Sequence, residues 1–461
     1  MAAQKFFFIN FGFIVGVLIS GFFDSYYKVI FWLAFMIFLS SAVFLRNYLY
    51  LFSLFFSGVF VAIFYFGMRE GIVLNGYPKL TGGDFEVMSV SETITTDKSR
   101  RIVAELRGEY RGEVLVFYPS EDIFKYGDVL KVTGDFESAE VKGGSPVIFA
   151  ERIEYVGNEG SEINKLLFGV KDKFVSVLTK NLSPNAGALA SGLLFGEKAK
   201  FSSEFKEAMK RSGTTHIVAL SGYNISILVG ALGLVVAVFS RRIRIFLYFF
   251  VIIIFTLMVG GDPSIVRAAI MGGVFLLSKE LGRNITPAYA LSFAGALMLW
   301  WNPLVIYSIG FQLSFLSFMG IVYIAPSLTS IFKLKGGLIS KLTVETASAQ
   351  LAVLPLIVNY FGGFSVVSLI SNIFILGTIP ISMFFAFLLL VFNFILPFLS
   401  FFIVWICEIV LGYQIFIINL FSKLYTPSGS YFRNGIFTAV YVVLLLGIII
   451  FYKDDNPNEN K

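Results

Sequence analysis

The chain has 461 residues, of which 57% are apolar and 14% charged, with a mean hydropathy of +0.80 and a net charge of +6. Soluble domains carry about 25% charged residues, so this composition excludes an ordinary water-soluble enzyme and points to burial in a bilayer. A single histidine and a single cysteine exclude an intrachain disulfide and leave too few ligands for a zinc hydrolase site.

A spanning helix needs about 20 apolar residues. Residues 6–22, 29–45 and 48–68 are the first candidates. Two further spans follow the first without a soluble break, so it reads as an anchor and not as a signal peptide. Lys5 and Arg46 flank ends that share one side. The positive-inside rule puts that side in the cytoplasm, with Lys28 as the opposing signal. Residues 69–160 then fall outside the cytoplasmic membrane. They hold eleven basic and seventeen acidic residues, whereas residues 216–461 hold thirteen and seven. The insert is acidic and the membrane part basic.

Within the insert the pattern changes to period two. FEVMSVSETI, RRIVAELRG, GEVLVFYP, DVLKVTGDFES and PVIFAERIEYV read as five short strands separated by Gly, Asp and Lys. Five strands in so short a segment predict a small closed barrel of the OB-fold kind. Such barrels often hold single strands through aromatics and a basic groove. The acidic balance argues against a general phosphate grip and leaves a scaffold or gate as an equal reading.

Residues 161–215 read as surface helices. In INKLLFGVKDKFVSVLTKNL the apolar residues recur at helical spacing with Lys165, Lys171, Lys173 and Lys180 opposite, which predicts a helix lying on the lipid surface. Two short helices follow, joined around 196–200, and the first, from Ala186 to Phe195, is too short to span. Residues 216–452 are nearly all membrane. Candidate spans are 223–239, 246–259, 264–278, 288–301, 311–324, 344–360, 366–392 (broken near Pro380), 401–421 and 436–451, and a polar tail covers 453–461. The prediction is a polytopic α-helical membrane protein of 11–12 spans, some broken, with an inserted all-β domain. Broken helices at membrane depth are tolerated where they line a watery path.

Several polar residues interrupt these apolar stretches. The densest run is GTTHIVALSGYN, from Gly213 to Asn224, where helix gives way to span. It is either a broken entry into the bilayer offering backbone groups and hydroxyls to a polar substrate, or a helix break whose His216 and Ser221 satisfy local backbone. Asp262-Pro263-Ser264 looks like a capped helix start, with Arg267 one turn inside. A buried Arg suits an anionic substrate; snorkelling, or pairing with Asp262, is the other reading. Gln312 and Ser314 lie near a span start. Glu345, Gln350, Asn359 and Asn372 read as helix–helix glue, and Glu408 as a partner for a basic group.

At these residues the chain resembles the ComEC-type competence proteins, the DNA-uptake channels of the inner membrane of transformable bacteria. The resemblance is carried by residues 189–228, by GGDPSIVRAAIMGG (260–273), by residues 281–306 and by GFQLSFLSFMGI (310–321), in that order and spacing. It implies a pore through which one DNA strand enters the cytoplasm while the other is degraded outside. By position, Gly213, His216, Ala219, Ser221 and Gly222 belong to the first signature, Ser264, Arg267 and Met271 to the second, and Phe311, Gln312 and Ser314 to the third. Asn224 follows in a region where members often carry His. Many members continue into a metallo-β-lactamase-like domain. This sequence ends at Lys461, so the expectation is a separate nuclease.

The expected partners are therefore single-stranded DNA, membrane lipids, that nuclease, a periplasmic or surface DNA receptor, and a cytoplasmic motor or single-strand-binding protein. No cofactor and no P-loop are expected. Two other functions compete. One is a small-molecule or lipid transporter, which the insert fits poorly. The other is an intramembrane hydrolase using Ser221 with His216. Its two residues are five apart, and no G-x-S-x-G elbow surrounds the serine.

Overall fold

The computed structural model describes residues 2–20, 57–59, 61–62, 65, 82–91, 93–95, 100–108, 110, 112–119, 122–137, 146–197, 201–218, 220, 222–333, 337–361, 367–424 and 441. The expected span at 29–45, most of those at 48–68 and 436–451, and the tail lie outside these residues. The chain divides into two compact units, one of residues 1–170 with 231–312, the other of residues 171–230 with 313–461.

The first unit opens with α1 (Ala2–Ser20). Gly16 lies flush against the backbone of Val59, so this helix packs on the 57–62 segment without an intervening side chain. The insert follows as β1 (Gly82–Ser89), β2 (Ile94–Thr95), β3 (Arg100–Leu106), β4 (Gly112–Tyr118), β5 (Asp128–Glu137) and β6 (Val147–Asn158). The five long strands are those expected from period two. The first stops at Ser89, and Ile94–Thr95 forms its own short strand on β3. The sheet closes into a ring: β1 pairs antiparallel with β3 and β5, β3 with β4 and β5 with β6, and β4 meets β6 in parallel. Alternate residues point inward, and Phe85, Val87, Ile102, Val114, Val116, Leu130, Val132, Phe136 and Ile148 fill the barrel.

One buried polar knot closes the barrel's end. Thr93 Oγ1 lies 2.8 Å from Tyr118 Oη, accepts from Phe124 N at 2.9 Å and donates to Phe124 O at 3.2 Å. Tyr118 Oη in turn donates to Asp122 O at 3.1 Å. Thr93→Val keeps the shape but strands these donors and acceptors, which costs about 1–3 kcal/mol. Amide exchange in the peptide spanning Phe124 should quicken and the thermal midpoint should fall; unchanged exchange would show that the knot pins nothing.

After the barrel the helices run in sequence: α2 (Glu162–Asn181), α3 (Pro184–Phe195), α4 (Ser203–Ser212), α5 (Gly222–Val236), α6 (Arg241–Met258), α7 (Pro263–Glu280), α8 (Pro287–Trp301), α9 (Ile309–Met319), α10 (Ala325–Ile331), α11 (Leu338–Phe361), α12 (Ser368–Leu376), α13 (Ile379–Ile395) and α14 (Pro397–Ser422). Arg244 at the start of α6 grips Glu280 at the end of α7 through two bonds of 3.1 and 2.7 Å, which ties those two helix ends together.

A π turn, Gly320–Ile324, joins α9 to α10 as one continuous helix. Among the described residues three helices are long and apolar enough to cross a membrane: Ile309–Ile331, Ser340–Tyr360 and Pro397–Ser422. α12 and α13 form a fourth if counted as one span, bent by 48°. The break lies at Gly377–Thr378, between the two helices, close to the expected position at Pro380.

Candidate functional site

The GTTHIVALSGYN run sits where α4 stops. Lys210 and Arg211 occupy its last turn, where cations suit the helix dipole. Gly213 then adopts φ 72°, and the amides of Gly213 and Thr214 return to Lys210 O and Met209 O. This left-handed close is a glycine's role. Gly213 is fixed for a second reason: a Cβ there would lie 2.2 Å from the Cβ of Ser368 on α12. The contact is extended by hydrogen bonds. Ser371 Oγ donates to Ser212 O at 2.8 Å, and Ser212 Oγ lies 2.8 Å from Thr214 Oγ1. Gln350 of α11 donates to Ser368 Oγ at 3.3 Å. On a helix, positions 368, 371 and 372 share one face.

A single 3₁₀ turn, Thr215–Ile217, follows. Thr214, Ile217 and Val218 are buried, while Thr215 and His216 are exposed. His216 bonds to the backbone of Gly213. Gly222 begins α5. Asn224 is buried and donates to Leu193 O at 2.6 Å, tying α5 to α3.

The half-helix α3 is buried from Ala186 to Phe195. Glu408 of α14 receives Ser183 Oγ at 2.9 Å, and the Ser183 amide as well, at the N-terminal end of α3. The expected basic partner for Glu408 is thus replaced by a helix N-terminus, which favours a carboxylate by the same electrostatics.

The second signature lies in the first unit. Pro263 takes the first position of α7 and Asp262 the cap position, although the Asp262 side chain makes no capping bond. Ser264 is half-buried. Arg267 is buried one turn in, with Nη1 3.5 Å from Met271 Sδ. It does not snorkel to the helix end. Gln312 donates to Ile306 O at 3.0 Å, and the Ser314 carbonyl accepts from Ser317 Oγ at 3.1 Å.

Residues 193–455, more than half of the chain, match the family described as Competence protein. The chain belongs to the competence protein family. It is also 26% identical over 209 residues to the ComE operon protein 3 of Bacillus subtilis (strain 168), a match that covers 45% of this chain and 26% of that relative. The chain thus spans about a quarter of the relative it matches. No solved structure matches the chain.

In this competence protein the junction assembles residues that spacing alone left apart. Thr214 belongs to the polar run, whereas Ser212, Ser368 and Ser371 were not singled out from the sequence, although the 368/371/372 spacing carries the signal. Ser221 and Ala219 lie outside the described residues. Among the surface lysines, Lys173 and Lys180 are exposed and Lys165 pairs with Glu162 at 2.8 Å. Lys171 departs from expectation: it is buried, 3.6 Å from Glu197 at the end of α3. The helical period placed it opposite the apolar face, but α3 covers that position too. Gln350 and Glu345, read as glue, bond to Ser368 and lie 3.9 Å from Lys341 respectively. Among the described residues no three His, Cys, Asp or Glu side chains gather as metal ligands would.

Proposed function

We propose that this competence protein is a channel of the cytoplasmic membrane that carries single-stranded DNA into the cell. The observation that carries the reading is the family match, which spans the Gly213 junction and the buried Arg267. A phosphate chain needs a polar, partly cationic path, yet conduction requires weak binding at many sites. Arg267 together with the uncharged polar groups of Gly213, His216, Ser221, Gly222, Asn224, Ser264, Gln312 and Ser314 meets both demands. The half-helices α3 and α12 support it, since irregular backbone at membrane depth belongs beside a cavity. Ser221 as a nucleophile has no support from spacing.

The same reading assigns 11–12 spans, with residues 1–68 as anchoring helices, 69–160 as an extracytoplasmic domain, 161–215 at the membrane surface and 216–452 as the channel. The barrel's closure with a single parallel β4–β6 pair supports the OB-fold reading, and its acidic balance weighs toward a scaffold or gate. A nuclease, a DNA receptor outside and a motor or single-strand-binding protein inside complete the path.

The test is uptake of labelled DNA by a transformable host, with the gene present or deleted. Deletion should abolish the protected internal strand. Arg267→Gln and His216→Ala, at normal expression, should each lower it about tenfold or more, equivalent to about 1.4 kcal/mol on the barrier. Normal uptake by Arg267→Gln would remove that residue from the path. Uptake by the deletion strain would sink the channel and favour a small-molecule or lipid transporter.

A further inference from the structure

Polar side chains meet the bent pair α12–α13 at several points, and one on α12 itself stands apart. Gln414 of α14 spans the bend, donating to Thr378 Oγ1 at 2.9 Å and Ser382 Oγ at 2.6 Å. Asn224 and Gln350 likewise have partners, whereas the buried Gln414 Oε1 and Ser348 Oγ have none among the described residues. Asn372 is fully buried, and neither its amide nitrogen nor its oxygen has a hydrogen-bond partner among the described residues. A side chain that only glued helices together would be satisfied, because burying an unpaired amide costs stability that a Leu of similar size would not. Asn372 also lies one turn beyond Ser368 and on the helical face of Ser371, the two residues that hold α12 against Gly213 and Ser212. The unpaired amide is therefore next in line behind the contact that shuts this junction.

We propose that Asn372 is a contact residue for the translocating single strand, covered in this closed arrangement and uncovered when α12 moves off the Gly213 turn. Its amide can donate to a phosphate oxygen and can both donate to and accept from the edge of an unpaired base. Because it carries no charge, it holds the strand without trapping it. Gln414 ties the start of α13 to α14, whereas α12 is held by Gln350 on α11 and by the Tyr413 hydroxyl on Phe374 O at 3.4 Å, contacts that α12 exchanges when it moves off the turn. The inference rests on the channel reading.

Three strains separate the two: a gene deletion, Asn372→Leu and Asn372→Gln. Asn372→Leu should express normally, unfold in detergent at the same or a higher temperature than the parent, and internalise at least about tenfold less labelled strand. Asn372→Gln, which keeps the amide, should recover part of the uptake. In a Cys407→Ala background, Asn372→Cys should react with a methanethiosulfonate reagent faster while DNA is being taken up than without DNA. If the deletion strain still internalises DNA, the channel reading fails first. If deletion abolishes uptake but Asn372→Leu transports as the parent does, or thiol labelling ignores DNA, the inference on Asn372 is overturned and the channel stands.

Discussion

Gly213→Ala is expected to cost about 3–5 kcal/mol of stability, enough to remove most folded protein. Two terms add. The residue sits at φ 72°, where a side chain costs about 1–2 kcal/mol. The new Cβ would also meet Ser368 Cβ at 2.2 Å and Ser368 Cα at 3.1 Å, so α12 must shift. Removing the opposing side chain separates the terms: in a Gly213→Ala/Ser368→Gly pair the steric part should recover and the backbone part remain. Gly230→Ala is the control, since nothing lies within 4 Å of a Cβ there and the residue is helical. That variant should be neutral or gain up to about 1 kcal/mol. The measurement is the thermal midpoint and the monodisperse yield of the full chain in detergent. A Gly213→Ala protein as stable as the control would mean that the turn and α12 are not locked together.

Lys171→Met should cost about 3–5 kcal/mol, because it leaves Glu197 largely buried with its cation gone. Lys171 and Glu197 side chains are only 9% and 15% exposed, so water cannot screen the loss. Converting both residues, as Lys171→Met with Glu197→Gln, should restore most of the stability, since a buried pair and an uncharged replacement are often nearly equal. The cycle reads directly as a coupling energy in thermal or denaturant unfolding. A single variant within about 0.5 kcal/mol of the parent would return Lys171 to the surface role that its helical position implied.

The two predictions fall on opposite sides of what a linear reading reaches. The apolar excess is a bulk property, so burial in a bilayer follows from composition before any contact is known. Alternation in residues 82–158 belongs to each strand alone, and the strands appear where it runs. The stop of α4 is equally local: two basic residues, a serine and a glycine end a helix through its own backbone. What period and caps lack is the partner. The parallel β4–β6 pair and the β1–β3 closure turn strands into a barrel through contacts distant in sequence. Lys171 lies opposite the apolar residues of α2 whether its surroundings are lipid headgroups or α3; only packing decided that it meets Glu197. Glu408 found the N-terminal end of α3 225 positions away, and Ser371 found Ser212 across 159. Asn372 reads as helix glue in the sequence because every isolated amide in an apolar run looks alike. That its amide has no partner among the described residues is a property of the folded neighbourhood, since hydrogen-bond satisfaction depends on what the other helices bring to it.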